Sequence, residues 1–194
     1  IKDCSGLKKV YLYGVKTIED YAFQNCSNIM YIEADDLVDR AEYAFDGTYV
    51  MKPMLPSELK YSKYNGGIIV EGFADGVVAP QKVSLPGVIE GMPVEEIGKE
   101  AFLGSSFSAI SLSENTKRVG AGAFKNCKSL YNVYILGVEE IAEEAFAYCS
   151  VNDSNFVYSD SLEQYASNAF DGCSNMLLLP TLANWFTYEK VADG

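Results

Sequence analysis

The residues that could do chemistry in this chain are acids, thiols and a few glycines. The densest acidic run is Glu33, Asp35, Asp36, Asp39, Glu42 and Asp46. A calcium loop of EF-hand type needs oxygen ligands at alternating positions around a Gly, and this run lacks that Gly. Two carboxylates can serve as a glycosidase pair. With 27 acids in 194 residues, however, any such pair carries little information. The run reads as solvated surface, as do Glu139, Glu140, Glu143 and Glu144, which are expected on a convex edge; weak calcium binding is the alternative. Gly120-Ala-Gly122 fails the phosphate-loop pattern, because Lys125 stands at the third Gly position, and it reads as a tight turn. No two cysteines form Cys-x-x-Cys, so a zinc ribbon is unsupported. The sequence indicates neither a metal nor a cofactor.

Histidine is absent. Ser-His-Asp and Cys-His catalysis are therefore excluded within the chain, together with His-bearing zinc and non-haem iron sites. Lys and Arg total 15 against 27 Asp and Glu, a formal charge of −12. That sign repels phosphate backbones and anionic membrane surfaces, so neither nucleic acid nor membrane is an expected partner. No apolar stretch reaches the 18 residues or so of a spanning helix. The sequence opens at Ile1 without an apolar leader and reads as a trimmed piece. Hydrophobic residues at 48 % and aromatics at 13 % supply ample material for a core.

What must position these residues is a repeat. Ala-Phe recurs at 22–23, 44–45, 101–102, 123–124, 145–146 and 169–170, with Phe spacings of 22, then 22, 22 and 24. Three residues after each Phe comes a small residue: Cys26, Thr48, Ser105, Cys127, Cys149 and Cys173. Cys4 fits the series, with Ile1 in the Phe position. Five residues before most Phe sits an apolar rung: Ile18, Ile97, Val119, Ile141 and Tyr165. Segment 8–18 parallels 131–141, and 25–32 parallels 172–179. A unit this short cannot bury its own apolar face, so neighbours must stack into a continuous core. Each unit reads as a short strand such as Val10-Tyr11-Leu12, a turn, a second apolar rung and a compact turn at Ala-Phe. The expected fold is a mainly β repeat solenoid with one parallel strand per coil of about 22 residues, neighbouring strands about 4.8 Å apart.

The pattern Ala-Phe-x-x-Cys-x-x-Leu-x-x-Val-x-Leu, with Ile five places before the next Phe, resembles the BspA-like, or Treponema-pallidum-type, leucine-rich repeat. The match is best at 18–32 and 119–146, while Tyr64 to Phe73 and Leu85 to Gly98 are similar to the unit that opens a fresh array. Arg40 departs from the pattern at an apolar rung, and 150–165 carries a two-residue insertion. The expected organisation is a first sub-array over 1–55, a Gly/Pro-rich connecting unit over 56–96 with an antiparallel hairpin at 61–83, a second sub-array over 97–176, and a cap and tail over 177–194. Cysteines one coil apart would lie about 5 Å apart, which does not forbid a disulfide. Their parallel side chains suit a buried ladder of free thiols better. In a mainly bacterial family, the acceptor triplets Asn25-Cys-Ser27 and Asn152-Asp-Ser154 read as coincidental.

The remaining constellation is the strand face turned away from the core. With Val10 and Leu12 inward, Lys9, Tyr11 and Tyr13 point outward. Equivalent coils place Tyr31, Glu33 and Asp35, then Asn132, Tyr134 and Leu136, on the same face, with Tyr158 aligned to Tyr134. Tyrosine offers large contact area, few rotatable bonds and a polar tip, which suits recognition; it is also simply a good exposed-strand residue. The candidate ligand-binding set is Lys9, Tyr11, Tyr13, Tyr31, Glu33, Asn132, Tyr134 and Tyr158. The resemblance implies a non-catalytic recognition module, extracellular or at a bacterial cell surface, binding a protein or glycan through its concave face. The alternative is a structural spacer that presents another domain and has no ligand.

Overall fold

The computed structural model describes residues 1–29, 31–46, 51–149, 155–159, 161–173 and 176–179; of these, side chains are described except at 31, 155, 156, 158 and 176–179. The chain is a β-solenoid with two parallel strands per coil. One series comprises β5 (Lys52–Pro53), β8 (Lys82–Ser84), β11 (Ala109–Leu112), β13 (Asn132–Ile135), β15 (Asn155–Tyr158) and β17 (Met176–Leu179), paired in that order. The second apolar rung of each coil forms a short strand of its own: β12 (Arg118–Val119), β14 (Glu140–Ile141) and β16 (Gln164–Tyr165) follow β10 (Met92–Ile97). The first array repeats this arrangement separately, with β1 (Lys9–Tyr11) paired to β3 (Tyr31–Glu33) and β2 (Thr17–Ile18) paired to β4 (Asp39–Arg40).

The Ala-Phe turn makes a third ladder. The N–H of Phe102 donates to the carbonyl of Ala123 at 2.8 Å, Phe124 to Ala145 at 2.7 Å, and Phe146 to Ala169 at 2.8 Å. Two residues either side of each such Phe, the backbone is left-handed: Tyr21 and Asn25, Glu100 and Gly104, Gly122 and Asn126, Glu144 and Tyr148 have φ of 53 to 68°. Alternating hand turns successive N–H groups toward the next coil, so Glu100, Phe102 and Gly104 all donate across. A non-Gly residue there costs roughly 1–2 kcal/mol, which the extra inter-coil hydrogen bonds offset.

Inside, the Phe rings stack face to face. Centroids lie 5.5 Å apart for Phe102–Phe124, 5.0 Å for Phe124–Phe146 and 5.4 Å for Phe146–Phe170, all nearly parallel. Phe23 and Phe45 do the same in the first array at 5.2 Å. Phe73 and Phe107 meet Phe102 edge-on, closing the start of the second stack.

The thiols form the expected row. Each donates to the carbonyl of the Phe one coil earlier: Cys127 to Phe102 at 3.2 Å, Cys149 to Phe124 at 2.9 Å and Cys173 to Phe146 at 2.9 Å. All five cysteines are free. The small slot therefore also satisfies a turn carbonyl. Hydrogen bonding with Cys127 and then Cys173, with burial third, pushes the Cys149 thiol up. Cys173 is lowered to about 7, chiefly by its hydrogen bond with Cys149.

The Gly/Pro-rich stretch supplies a hairpin of β6 (Leu59–Tyr64) and β7 (Gly67–Phe73), closed by Asn65 and Gly66 at φ 50° and 88°. Both positive φ values suit the hand of a two-residue hairpin turn. The hairpin begins two residues before the expected start and ends at Phe73; β8 beyond it belongs to a parallel sheet. β7 pairs in parallel with β10, so the hairpin is the first rung of the second array. A tight return, β9 (Val88–Ile89) onto β10, follows. At position 40 the absent apolar rung is replaced by an ion pair, the Arg40 guanidinium lying 3.1 Å from both carboxylate oxygens of Glu58. The expected cap contributes 177–179 to β17, and the tail beyond lies outside the described residues.

Phe124 is fully buried between two stacked rings. Phe124→Ala should cost about 3–5 kcal/mol in denaturant melts, as large aromatics lost from packed cores do. A loss below about 1 kcal/mol, the range of surface changes, would remove Phe from the role of core rung. In a thiol-reagent time course on folded protein, Cys127 and Cys149 should stay unmodified. Cys173, half-buried where the other two are fully buried, should react first of the three.

Candidate functional site: the outer strand face and the inter-array cleft

The outer strand face predicted from alternation is split in two by the tertiary structure. In β1 it is open: Lys9 is exposed, and Tyr11 and Tyr13 are 39 % and 73 % exposed. The two tyrosine rings stack at 5.9 Å and 20°. In the second array the same face is covered. All four residues of β11 are buried, although only Ile110 and Leu112 point into the core. Tyr134, aligned with Tyr11 in the repeat, is 9 % exposed and packs with Met51 and Ala109. Glu33 is equally buried, and Asn132 is half-buried. Tyr31 lies opposite Lys9 in the β1–β3 register, and Tyr158 lies opposite Tyr134; their side chains are outside the described residues. The candidate set is thus not one continuous exposed face. Lys9, Tyr11 and Tyr13 share the open part, whereas Glu33 and Tyr134 are covered.

What covers the face is the first array. The Ser84 hydroxyl, on the outer side of β8, donates to the Ile32 carbonyl at 2.6 Å. One Asp35 carboxylate oxygen accepts from the backbone N–H of Gly87 at 2.6 Å and of Val88 at 3.1 Å. Asn115 donates from its side-chain amide to the Gly87 carbonyl at 3.1 Å, fixing that loop from the other side. A Cβ on Gly87 would fall within 3.0 Å of Ser113 and of the Asp35 oxygen, so this approach needs glycine. Tyr11 adds a long hydrogen bond from its hydroxyl to Glu114 at 3.4 Å. Burial raises the Asp35 carboxyl above the ordinary carboxylate range, against the two N–H bonds that pull it down. Burial likewise raises the Tyr11 phenol, with the Glu114 and Glu33 charges adding to it.

The acidic run was expected to be solvated. Glu33 and Asp35 correct that reading: their charges sit at the junction, where hydrogen-bonding geometry is available. Asp36, exposed, follows the expectation and pairs with Lys16 at 2.8 Å, which lowers its carboxyl. Glu139 and Glu144 pair with Lys117 and Lys125 on neighbouring coils. Among the described residues no group of three His, Cys, Asp or Glu is placed to hold a metal, and no helix is long and apolar enough to cross a membrane.

Beside the junction lies an open cleft of roughly 390 Å³ that sequence reasoning missed. One wall carries Lys8, Ser27, Asn28 and Ile29 of the first array; the other carries Lys82, Ala109, Asn132 and Tyr134, with Met51 between them. Lys82, Ala109 and Asn132 stand opposite one another in register across β8, β11 and β13. No sequence signal joins residues 8 and 82; only docking of the arrays does.

Stacked parallel coils with an outer strand face define a leucine-rich-repeat solenoid. The chain belongs to the family described as BspA type leucine rich repeat region, whose repeat matches in six copies over residues 2–65 and 85–180. A leucine-rich repeat protein from Bacteroides capillosus shares the fold with a TM-score of 0.52 at 17 % identity, over 65 % of this chain and 97 % of that one. The T. pallidum leucine rich repeat protein gives 0.49 at 22 % identity, over 66 % of this chain and 83 % of that one. A leucine rich cell surface protein from Faecalibacterium prausnitzii gives 0.43 at 17 %, over 94 % of this chain and 62 % of that one. No curated protein matches the sequence significantly.

Removing the junction carboxylate leaves two N–H groups without their acceptor. Asp35→Ala should destabilise the protein by about 1–3 kcal/mol, whereas the exposed Asp36→Ala should stay within about 0.5 kcal/mol. The pH dependence has a definite sign. A carboxyl raised in the folded state favours folding below its unfolded value, and that contribution is lost as pH rises through the folded value. Asp35→Asn should flatten the stability curve in that acidic window, measured by denaturant melts across pH.

Proposed function

We propose that this chain is a non-catalytic recognition module, acting outside the cell or at a bacterial cell surface, that binds an extracellular protein or glycan. The observation that carries this is the stacked Tyr11–Tyr13 pair beside Lys9, exposed on the open strand face of the first array. Such rings bury large area at low entropic cost on binding. The inter-array cleft adjoins the same side of the molecule through Lys8. Lacking histidine, the chain has no imidazole for general-base chemistry. The three-sided hydrogen-bonded stack would also suit a rigid spacer, which needs no ligand.

An array of extracellular proteins and glycans, probed with the whole chain, separates the two readings, because a spacer binds nothing. On any partner found, Tyr13→Ala should cost about 2 kcal/mol of affinity if the ring is a central anchor. The pair Glu143→Ala and Glu144→Ala, on the opposite edge, should alter little beyond a salt-sensitive association rate. The melting temperature should hardly move with Tyr13→Ala, since that side chain touches no core residue cluster. Full binding by the tyrosine variant with loss in the acidic-edge variant would move the site to the other face.

A further inference from the structure

We propose that two copies of this chain pair through β6, edge to edge and antiparallel, about a two-fold axis at Ser62. This does not depend on the recognition reading above. Among the described residues β6 ends the seven-stranded sheet and is hydrogen-bonded to β7 alone. In a two-residue hairpin the residues flanking the turn, here Tyr64 and Gly67, exchange both hydrogen bonds. Alternation then gives Ser62 to β7 and turns the N–H and C=O of Tyr61 and Lys63 to the outer edge. No other backbone group among the described residues takes them. Such an edge is a template for another strand. The corresponding edge of the other large sheet is guarded: β5 is two residues long and includes Pro53, which has no N–H to offer. β6 is six residues long and holds no proline.

Lysines also guard edges, yet both on β6 are held within the copy. The Lys60 ammonium lies 2.6 Å from Asp75, and that of Lys63 lies 2.6 Å from Glu90. These carboxylates offset the two charges, so the strand can approach another like it. What selects a second copy is the strand read against itself. With Ser62 opposite Ser62, Tyr61 faces the partner's Lys63 and Lys60 faces the partner's Tyr64. Each ammonium then meets a ring and never another ammonium. The Tyr61 hydroxyl donates to Glu90 at 2.8 Å, which puts a carboxylate beside the incoming lysine. The outward groups of Tyr61 and Lys63 close a hydrogen-bonded pair on each side of the axis, as an isologous contact requires. The small Ser62 falls on the axis, where opposed side chains come closest. Moving the axis to Lys63 would set like charges directly opposite, which is disfavoured.

Sedimentation and light scattering of the whole chain over about 1 μM to 1 mM, a range that spans tight to weak association, test this. The parent should pass from one chain to two as concentration rises. Lys63→Pro leaves the β6–β7 ladder its bonds, removes an outward N–H and sets a ring across the edge. It should weaken the dimer at least about tenfold, the worth of one or two hydrogen bonds. Ser62→Cys tests the register separately. Opposed Cα atoms on the axis would lie about 4.5 Å apart, within disulfide range, so diamide should join two copies through position 62. Lys60→Cys, which faces position 64 and not itself, should give no such bridge. A parent that stays a single chain at about 1 mM, the weak limit of that range, would overturn the proposal. So would a dimer indifferent to Lys63→Pro, an oxidised Ser62→Cys protein without the bridge, or a single chain that takes up an extended peptide along β6 in place of a second copy. The cross-link keeps the test decisive even where Lys63→Pro melts early.

Discussion

The structure depends on stacking between coils. A coil of about 22 residues has too little interior to fold alone, and its apolar face is buried only by the coils before and after it. Here that burial is carried by the Phe column, with rings about 5 Å apart, and it is locked by hydrogen-bonded ladders on three sides. Once the coils are in register, any residue type repeated along the chain becomes a row in space. The thiols of Cys127, Cys149 and Cys173 are such a row. So are the inter-coil ion pairs Arg118–Glu96 and Lys117–Glu139. These exposed pairs each contribute little; their regular spacing follows from the register and does not cause it.

Stacking also explains what happens where the repeat fails. Between the arrays, prolines and the hairpin interrupt the succession of coils, so the first array keeps its own small sheets and its own core. Its β3 forms no backbone ladder with the large sheets; it meets β8 through the Ser84 hydroxyl, which donates to the Ile32 carbonyl. The docking surface is polar on the second array's side: Ser84 and Ser111 stand opposite one another in register, both buried. Ser84 is satisfied by the Ile32 carbonyl, while the Ser111 hydroxyl has no hydrogen-bond partner among the described residues. A buried hydroxyl without a partner costs free energy. The junction leaves an open cleft beside it.

That arrangement divides the outer strand face. The open half, around Tyr11 and Tyr13, is aromatic. The cleft half is concave and lined by residues of both arrays.

Much of the fold was legible in the sequence. The Ala-Phe dipeptide, the small residue after it and the apolar rung before it are fixed within a single coil, so their recurrence states which positions stack. A further signal was present and unread: Asn25, Gly104, Asn126 and Gly172 all stand two residues after a Phe, where the backbone is left-handed and these residue types sit most easily. The half-buried arginine at position 40 was visible only as a departure, since its partner Glu58 lies in the connecting unit. The site was less legible. Tyr11 and Tyr134 occupy equivalent places in two matching segments, with the same alternation and similar apolar neighbours, yet one is exposed and the other buried. Local sequence determines which side of a strand a residue takes. Whether that side meets water is decided by the other array, docked through Asp35 and Gly87 more than fifty residues apart, and no periodicity within a coil encodes that contact.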